Sequence, residues 1–190
     1  MEAFLASTML VALAEIGDKT QLLAIVLAAR FNRPLPIITG IAAATLANHA
    51  LAAWAGAALA GWLAGPWFQL AVALGFIAMA AWTLVPDKLD DEESPDIDGR
   101  GAFIATTIAF FLVEIGDKTQ IATIALGARF HDVLSVMLGT TVGMMLANVP
   151  AVYLGRAVLN IVPLNVVRMI AAALFLLVGV VVLAQVSGIA

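Results

Sequence analysis

Six long apolar runs govern what this chain can become. They cover roughly residues 3–29, 35–60, 66–86, 101–128, 133–157 and 163–187. About 20 apolar residues carry an α-helix across the hydrocarbon core of a bilayer, and each run is long enough. Of the 190 residues, 63% are hydrophobic and only 12% are charged. Soluble domains sit near 45–50% apolar and about 25% charged. The expected fold class is therefore an all-α polytopic membrane protein with six transmembrane helices, its first partner being the lipid bilayer. The N-terminus lacks the basic start and small-residue cleavage site of a signal peptide, so the first run reads as a retained helix. No basic tract suggests nucleic acid. Cysteine is absent, which excludes disulfides and thiolate metal sites.

Prolines punctuate the runs. Pro34, Pro36, Pro66 and Pro163 stand at or near starts, where a missing N–H costs little. The only long polar stretch is DKLDDEESPDIDGR at 87–100. It divides the chain into a first three-helix unit at 1–86, an acidic linker at 87–100 and a second three-helix unit at 101–190.

The two units are copies. A shift of 99 residues superposes Glu15 on Glu114, Asp18 on Asp117, Phe31 on Phe130 and Gly40 on Gly139. Leu46-Ala47-Asn48 matches Leu146-Ala147-Asn148 at a shift of 100, and Gly56 and Gly155 return to 99. A unit of three crossings has an odd count, so the second copy enters from the opposite side. Two inverted three-helix repeats are expected, a plan that places transport sites near the midplane. Arg30, Arg33, Lys88, Arg100, Arg156 and Arg168 fall on one side of such a layout and Arg129 on the other. The excess of Lys and Arg marks the cytoplasmic side. It puts both termini outside and the acidic linker inside.

The strongest repeat is chemical. Residues 15–21 and 114–120 both read Glu-Ile-Gly-Asp-Lys-Thr-Gln, each in mid-run. Ionisable groups at that depth are costly and generally mark an ion or proton path. A single Glu–Lys or Asp–Lys pair could merely glue helices. Two copies, each with a surplus carboxylate, are poorly explained so, because buried ion pairs rarely repay their desolvation. Glu15 and Asp18 lie three apart and share a helix face, with Lys19 alongside. Glu114, Asp117 and Lys118 repeat this. Glu15, Asp18, Glu114 and Asp117 are the candidate metal ligands, since oxygen donors suit hard cations. Four carboxylates and the charge-balancing Lys19 and Lys118 leave two negative charges. One divalent cation neutralises them, and so do two protons.

Around this core stand supporting candidates. Gly17 and Gly116 are either possible hinges, where a helix can break and offer carbonyls, or small residues at a helix crossing. Thr20, Gln21, Thr119 and Gln120 add neutral oxygens, although Thr20 points away from Glu15 on an ideal helix. Asn48 and Asn148 are either carboxamide ligands or interhelical hydrogen-bonding groups. Thr45, Thr140 and Thr141 are weaker candidates. His49 adjoins Asn48 and reads chiefly as packing, with a supporting place behind the ligands as the alternative; His131 reads as a loop residue. Small residues along the second run, such as Ala44, Ala47 and Gly56, read as close helix packing. Asp90, Asp91, Glu92, Glu93, Asp96 and Asp98 read as a solvated linker.

The doubled motif, with the Leu-Ala-Asn segments and the acidic centre, resembles the Gdt-type cation/proton exchangers, which include Golgi calcium/manganese transporters and bacterial manganese exporters. The likeness extends over nearly the whole chain. It implies export of a divalent cation, Mn²⁺ or Ca²⁺, against inward protons, with cation binding at Glu15, Asp18, Glu114 and Asp117. It implies no enzyme activity and no resident cofactor. The lack of a long N-terminal extension resembles the bacterial form, implying the plasma membrane.

Three rivals are weighed beside it. An intramembrane aspartyl protease would use Gly-x-Gly-Asp, but Glu15 and Glu114 replace the first glycine, and the lysines oppose a shared-proton dyad. An exporter of small amino acids would favour a site with cationic excess, whereas this one is net acidic. A passive channel would lack coupling to protons.

Overall fold

A computed structural model describes residues 1–62, 65–86, 101–155 and 163–187. Every regular element among them is an α-helix. In chain order these are α1 (Glu2–Glu15), α2 (Lys19–Phe31), α3 (Pro34–Trp62), α4 (Pro66–Thr83), α5 (Ala102–Glu114), α6 (Lys118–Phe130), α7 (Val133–Leu154) and α8 (Leu164–Val186). Four of these, α3, α4, α7 and α8, are long and apolar enough to cross a membrane. The acidic stretch 87–100, with Lys88 and Arg100, lies outside the described residues, as does Arg156.

Two of the six runs are not continuous helices. The run from residue 3 is α1 and α2, parted at Ile16–Asp18. The run from 101 is α5 and α6, parted at Ile115–Asp117. Elsewhere the punctuation acts as expected. Pro34 opens α3 and Pro66 opens α4. α2 and α6 end alike, on Asn32 and His131 in the left-handed region (φ 50° and 53°). Their N–H groups bond Ala28 O and Gly127 O, both at 3.0 Å. Asp132 then starts α7 by accepting the Ser135 N–H at 3.0 Å.

Packing joins the two halves. α1 lies along α7, α5 and α6 lie along α3, and α4 lies on α8. Close approach needs small residues. A Cβ on Gly56 of α3 would strike the Ile124 carbonyl, and one on Gly127 of α6 the Ala53 carbonyl. One buried cluster gathers Val11, Leu23, Ile37, Ile41, Phe110 and Met144. A second gathers Leu10, Phe76, Met79, Leu126, Val136 and Phe175.

Several contacts come in reciprocal pairs under the 99-residue shift. Gly40 faces Phe103 O and Thr106, and Gly139 faces Phe4 O and Ser7. Phe76 stacks on its own counterpart, Phe175, with centroids 6.4 Å apart and planes at 29°.

Candidate metal centre

Each acidic motif is a short break between two helices. α1 stops at Glu15, after which Ile16 is extended and Gly17 has φ +81°. Asp18 is the N-cap of α2, its carboxylate accepting the Lys19 N–H at 2.6 Å. The second copy follows the same backbone path, with Ile115 extended, Gly116 at φ +78° and Asp117 at the N-cap position of α6, where its side chain makes no cap bond. A positive φ is costly for any residue with a Cβ, so glycine is the residue that permits this turn. Both breaks put carbonyl-bearing C-terminal helix ends, those of α1 and α5, beside the carboxylates. Those ends carry partial negative charge and favour a cation.

The break explains the rest of the motif. Gln21 reaches back one turn, and its Oε1 accepts the Gly17 N–H at 2.9 Å. Gln120 does the same for Gly116 at 2.8 Å. These oxygens therefore tie the unwound turn. Their amide nitrogens cross to the other half: Gln21 Nε2 donates to Ala147 O at 2.9 Å and Gln120 Nε2 to Asn48 Oδ1 at 3.4 Å. Thr20, redirected by the turn, donates its hydroxyl to Glu15 Oε2 at 2.5 Å. Thr119 is shared between Glu114 Oε2 at 3.3 Å and Asp117 Oδ2 at 3.2 Å.

Three of the four predicted ligands meet. Oxygens of Glu15, Glu114 and Asp117 lie within 4.8 Å of one another, and all three residues are buried. Glu15 Oε1 and Glu114 Oε1 have no hydrogen-bond partner. Asp18 is not in this group. It faces Lys118, whose Nζ lies 3.3 Å from Asp18 Oδ2. Lys19 Nζ lies 3.6 Å from Asp117 Oδ1. Each half's lysine thus pairs with the other half's aspartate. The two pairs differ in access: the Lys19 side chain is 16% exposed and that of Lys118 only 4%.

The flanking residues divide. Asn48 bridges helices, donating to Phe111 O at 3.1 Å in the last turn of α5, where carbonyls lack intrahelical partners. Asn148 donates to Met144 O at 3.0 Å, and its Oδ1 is buried with no partner. The Asn148 oxygen is thus unengaged, while the Asn48 oxygen is engaged. Thr140 and Thr141 bond carbonyls of their own helix. Thr45 is buried with its hydroxyl unpartnered. His49, expected chiefly to pack, is fully buried with its Nε2 3.8 Å from Glu114 Oε2. Its place beside Asn48 hinted at this, but His49 has no histidine counterpart in the second half.

The profile described as divalent cation/proton antiporter GDT1 matches residues 3–91 and 102–189. The chain belongs to the GDT1 family. This is a transporter family, not an enzyme family. A Vibrio cholerae protein described as "Putative manganese exporter" is 56% identical over 168 residues, covering 88% of this chain and 83% of its own. A GDT1-like protein of Synechocystis is 27% identical over a 212-residue alignment, covering 95% and 96%. A GDT1-like protein of Schizosaccharomyces pombe is 35% identical over 79 residues, 42% of this chain and 30% of its own. No solved structure matches. GDT1 membership and the apolar helices make this a multi-pass membrane cation transporter. Both GDT1-matching segments carry one copy of the acidic motif.

Proposed function

We propose that the chain exports a divalent cation, Mn²⁺ first, in exchange for protons across a bacterial plasma membrane. One observation carries the reading: carboxylates from both halves, Glu15, Glu114 and Asp117, converge in a buried cluster between helix breaks. A buried group of like charges needs a counter-charge, and a divalent cation or protons supply it alternately. Asp18 and the Asn148 oxygen complete the set as the cation enters, with Lys19 and Lys118 balancing charge when it leaves. The description of the Vibrio cholerae relative favours Mn²⁺ as cargo. Ca²⁺ is the alternative at the same oxygen-rich site.

The transport plan is two inverted three-helix repeats, residues 1–86 and 101–190. In this plan α1 with α2, and α5 with α6, each form one interrupted crossing. The crossed lysine–aspartate pairs, the reciprocal Gly40 and Gly139 contacts and the Phe76–Phe175 stack support it. Broken helices at a repeat interface are a recurring transporter device. The lysine and arginine bias supports termini outside and the acidic linker at the cytoplasmic face.

The test is Mn²⁺ and Ca²⁺ flux in proteoliposomes under an imposed pH gradient, with Glu15→Gln and Glu114→Gln as controls. Proton-coupled flux lost in both variants is the expected result. Flux indifferent to the gradient would make the protein a channel. Flux of neither metal would sink the divalent-cation reading and bring organic cations forward.

A further inference from the structure

We propose that His49 sets the cargo preference by offering an imidazole nitrogen to the cation at the Glu114 corner of the site, biasing it toward Mn²⁺ over Ca²⁺. This rests on the divalent-cation reading above. His49 lies inside α3 and is fully buried, and neither ring nitrogen has a hydrogen-bond partner. Burying an unpartnered polar group is costly, so an imidazole kept here needs a reason beyond filling space. Space alone does not require it. Val149 follows Asn148 in the second half just as His49 follows Asn48 in the first.

The geometry supplies the reason. His49 Nε2 is 3.8 Å from Glu114 Oε2. That is too long for a hydrogen bond, but it lies between the two spacings of donors on one octahedral ion, so a small shift lets both groups share one. Bonds of roughly 2.2 Å put octahedral donors about 3.1 Å apart when adjacent and about 4.4 Å when opposite. Glu114 Oε1 is itself buried and unpartnered. The neighbouring Asn48 is fixed by Phe111 and Gln120, which holds α3 in register at this level. His49 stands outside the trio of carboxylates but adjoins it at Glu114.

The chemistry then discriminates. Ca²⁺ is a hard ion satisfied by six to eight oxygens, whereas Mn²⁺, although at home among oxygens, opens the first-row series whose later members bind imidazole readily. One nitrogen in a carboxylate set favours Mn²⁺ in that comparison, and an all-oxygen set removes the advantage.

Two measurements test this. Purified wild-type protein loaded with Mn²⁺ should show nitrogen modulation in its electron spin echo, and His49→Val should lose it with Mn²⁺ still bound. The Mn²⁺ to Ca²⁺ flux ratio should fall about tenfold in His49→Val and His49→Gln. An unchanged ratio in a variant that still transports would overturn the proposal. So would wild-type Mn²⁺ bound without nitrogen modulation, a result that needs no variant to fold. Wild type that binds neither metal would overturn the divalent-cation reading as well, which separates the two failures.

Discussion

Thr20 and Thr119 stand five residues after their glutamates, a spacing that on an unbroken helix turns them away. Here each donates back to its glutamate, but unequally: Thr20 at 2.5 Å, Thr119 at 3.3 Å with Asp117 competing. A hydrogen bond to a charged acceptor contributes about 1.5–3 kcal/mol. Thr20→Val should therefore raise the half-saturating Mn²⁺ concentration by about tenfold or more. Thr119→Val should raise it less, measured by initial flux at graded Mn²⁺. The lysines differ in the same manner. Lys118 is more enclosed than Lys19, and removing one partner of a buried pair costs about 3–5 kcal/mol. Lys118→Met should lower the thermal midpoint in detergent more than Lys19→Met.

The helix breaks are the element that sequence reading half reached. Apolar runs, proline starts and the linker placed the element boundaries within a few residues, because burial in lipid writes itself into composition. Glycine after glutamate suggested an interruption but left packing at a helix crossing as an equal reading. What decides it is the φ of Gly17 and Gly116 and the bond each N–H donates to its glutamine oxygen. Neither is a property of residue type alone. The acidic motif named the carboxylates, yet which three converge depends on the crossing of α1 with α6 and α7, set by contacts far apart in sequence. The two glycines also differ in surroundings. A Cβ at Gly17 would lie 2.9 Å from Leu164 Cδ2, while one at Gly116 meets nothing within 4 Å. Gly116→Ala should carry only the backbone penalty, about 1–2 kcal/mol. Gly17→Ala should add a shift of the Leu164 side chain and melt somewhat lower. Asp132 at the start of α7 offers a milder case. Its hydrogen bonds with Ser135 hold its carboxyl below the usual range. Its contribution is complete above the unfolded pKa and disappears as pH falls through the lower folded value. Asp132→Ala should remove that acid-side dependence from the melting curve.

Across the whole molecule, the halves are bound at their charged centre by exchange: Lys118 answers Asp18 and Lys19 answers Asp117. Asp18→Asn with Lys118→Met should be less destabilised than the sum of the single variants, since removing both members leaves no uncompensated buried charge. A thermal double-mutant cycle in detergent checks it, and strict additivity would count against the coupling. The crossing also sets a clock. Lys118 follows Asp18 by 100 residues, and ribosomes add roughly 5–20 residues per second. For some 5–20 seconds after Asp18 is synthesised, the lysine that will answer it does not yet exist. The first half must wait near water or beside the insertion machinery, so assembly at the centre is completed only by the later half of synthesis.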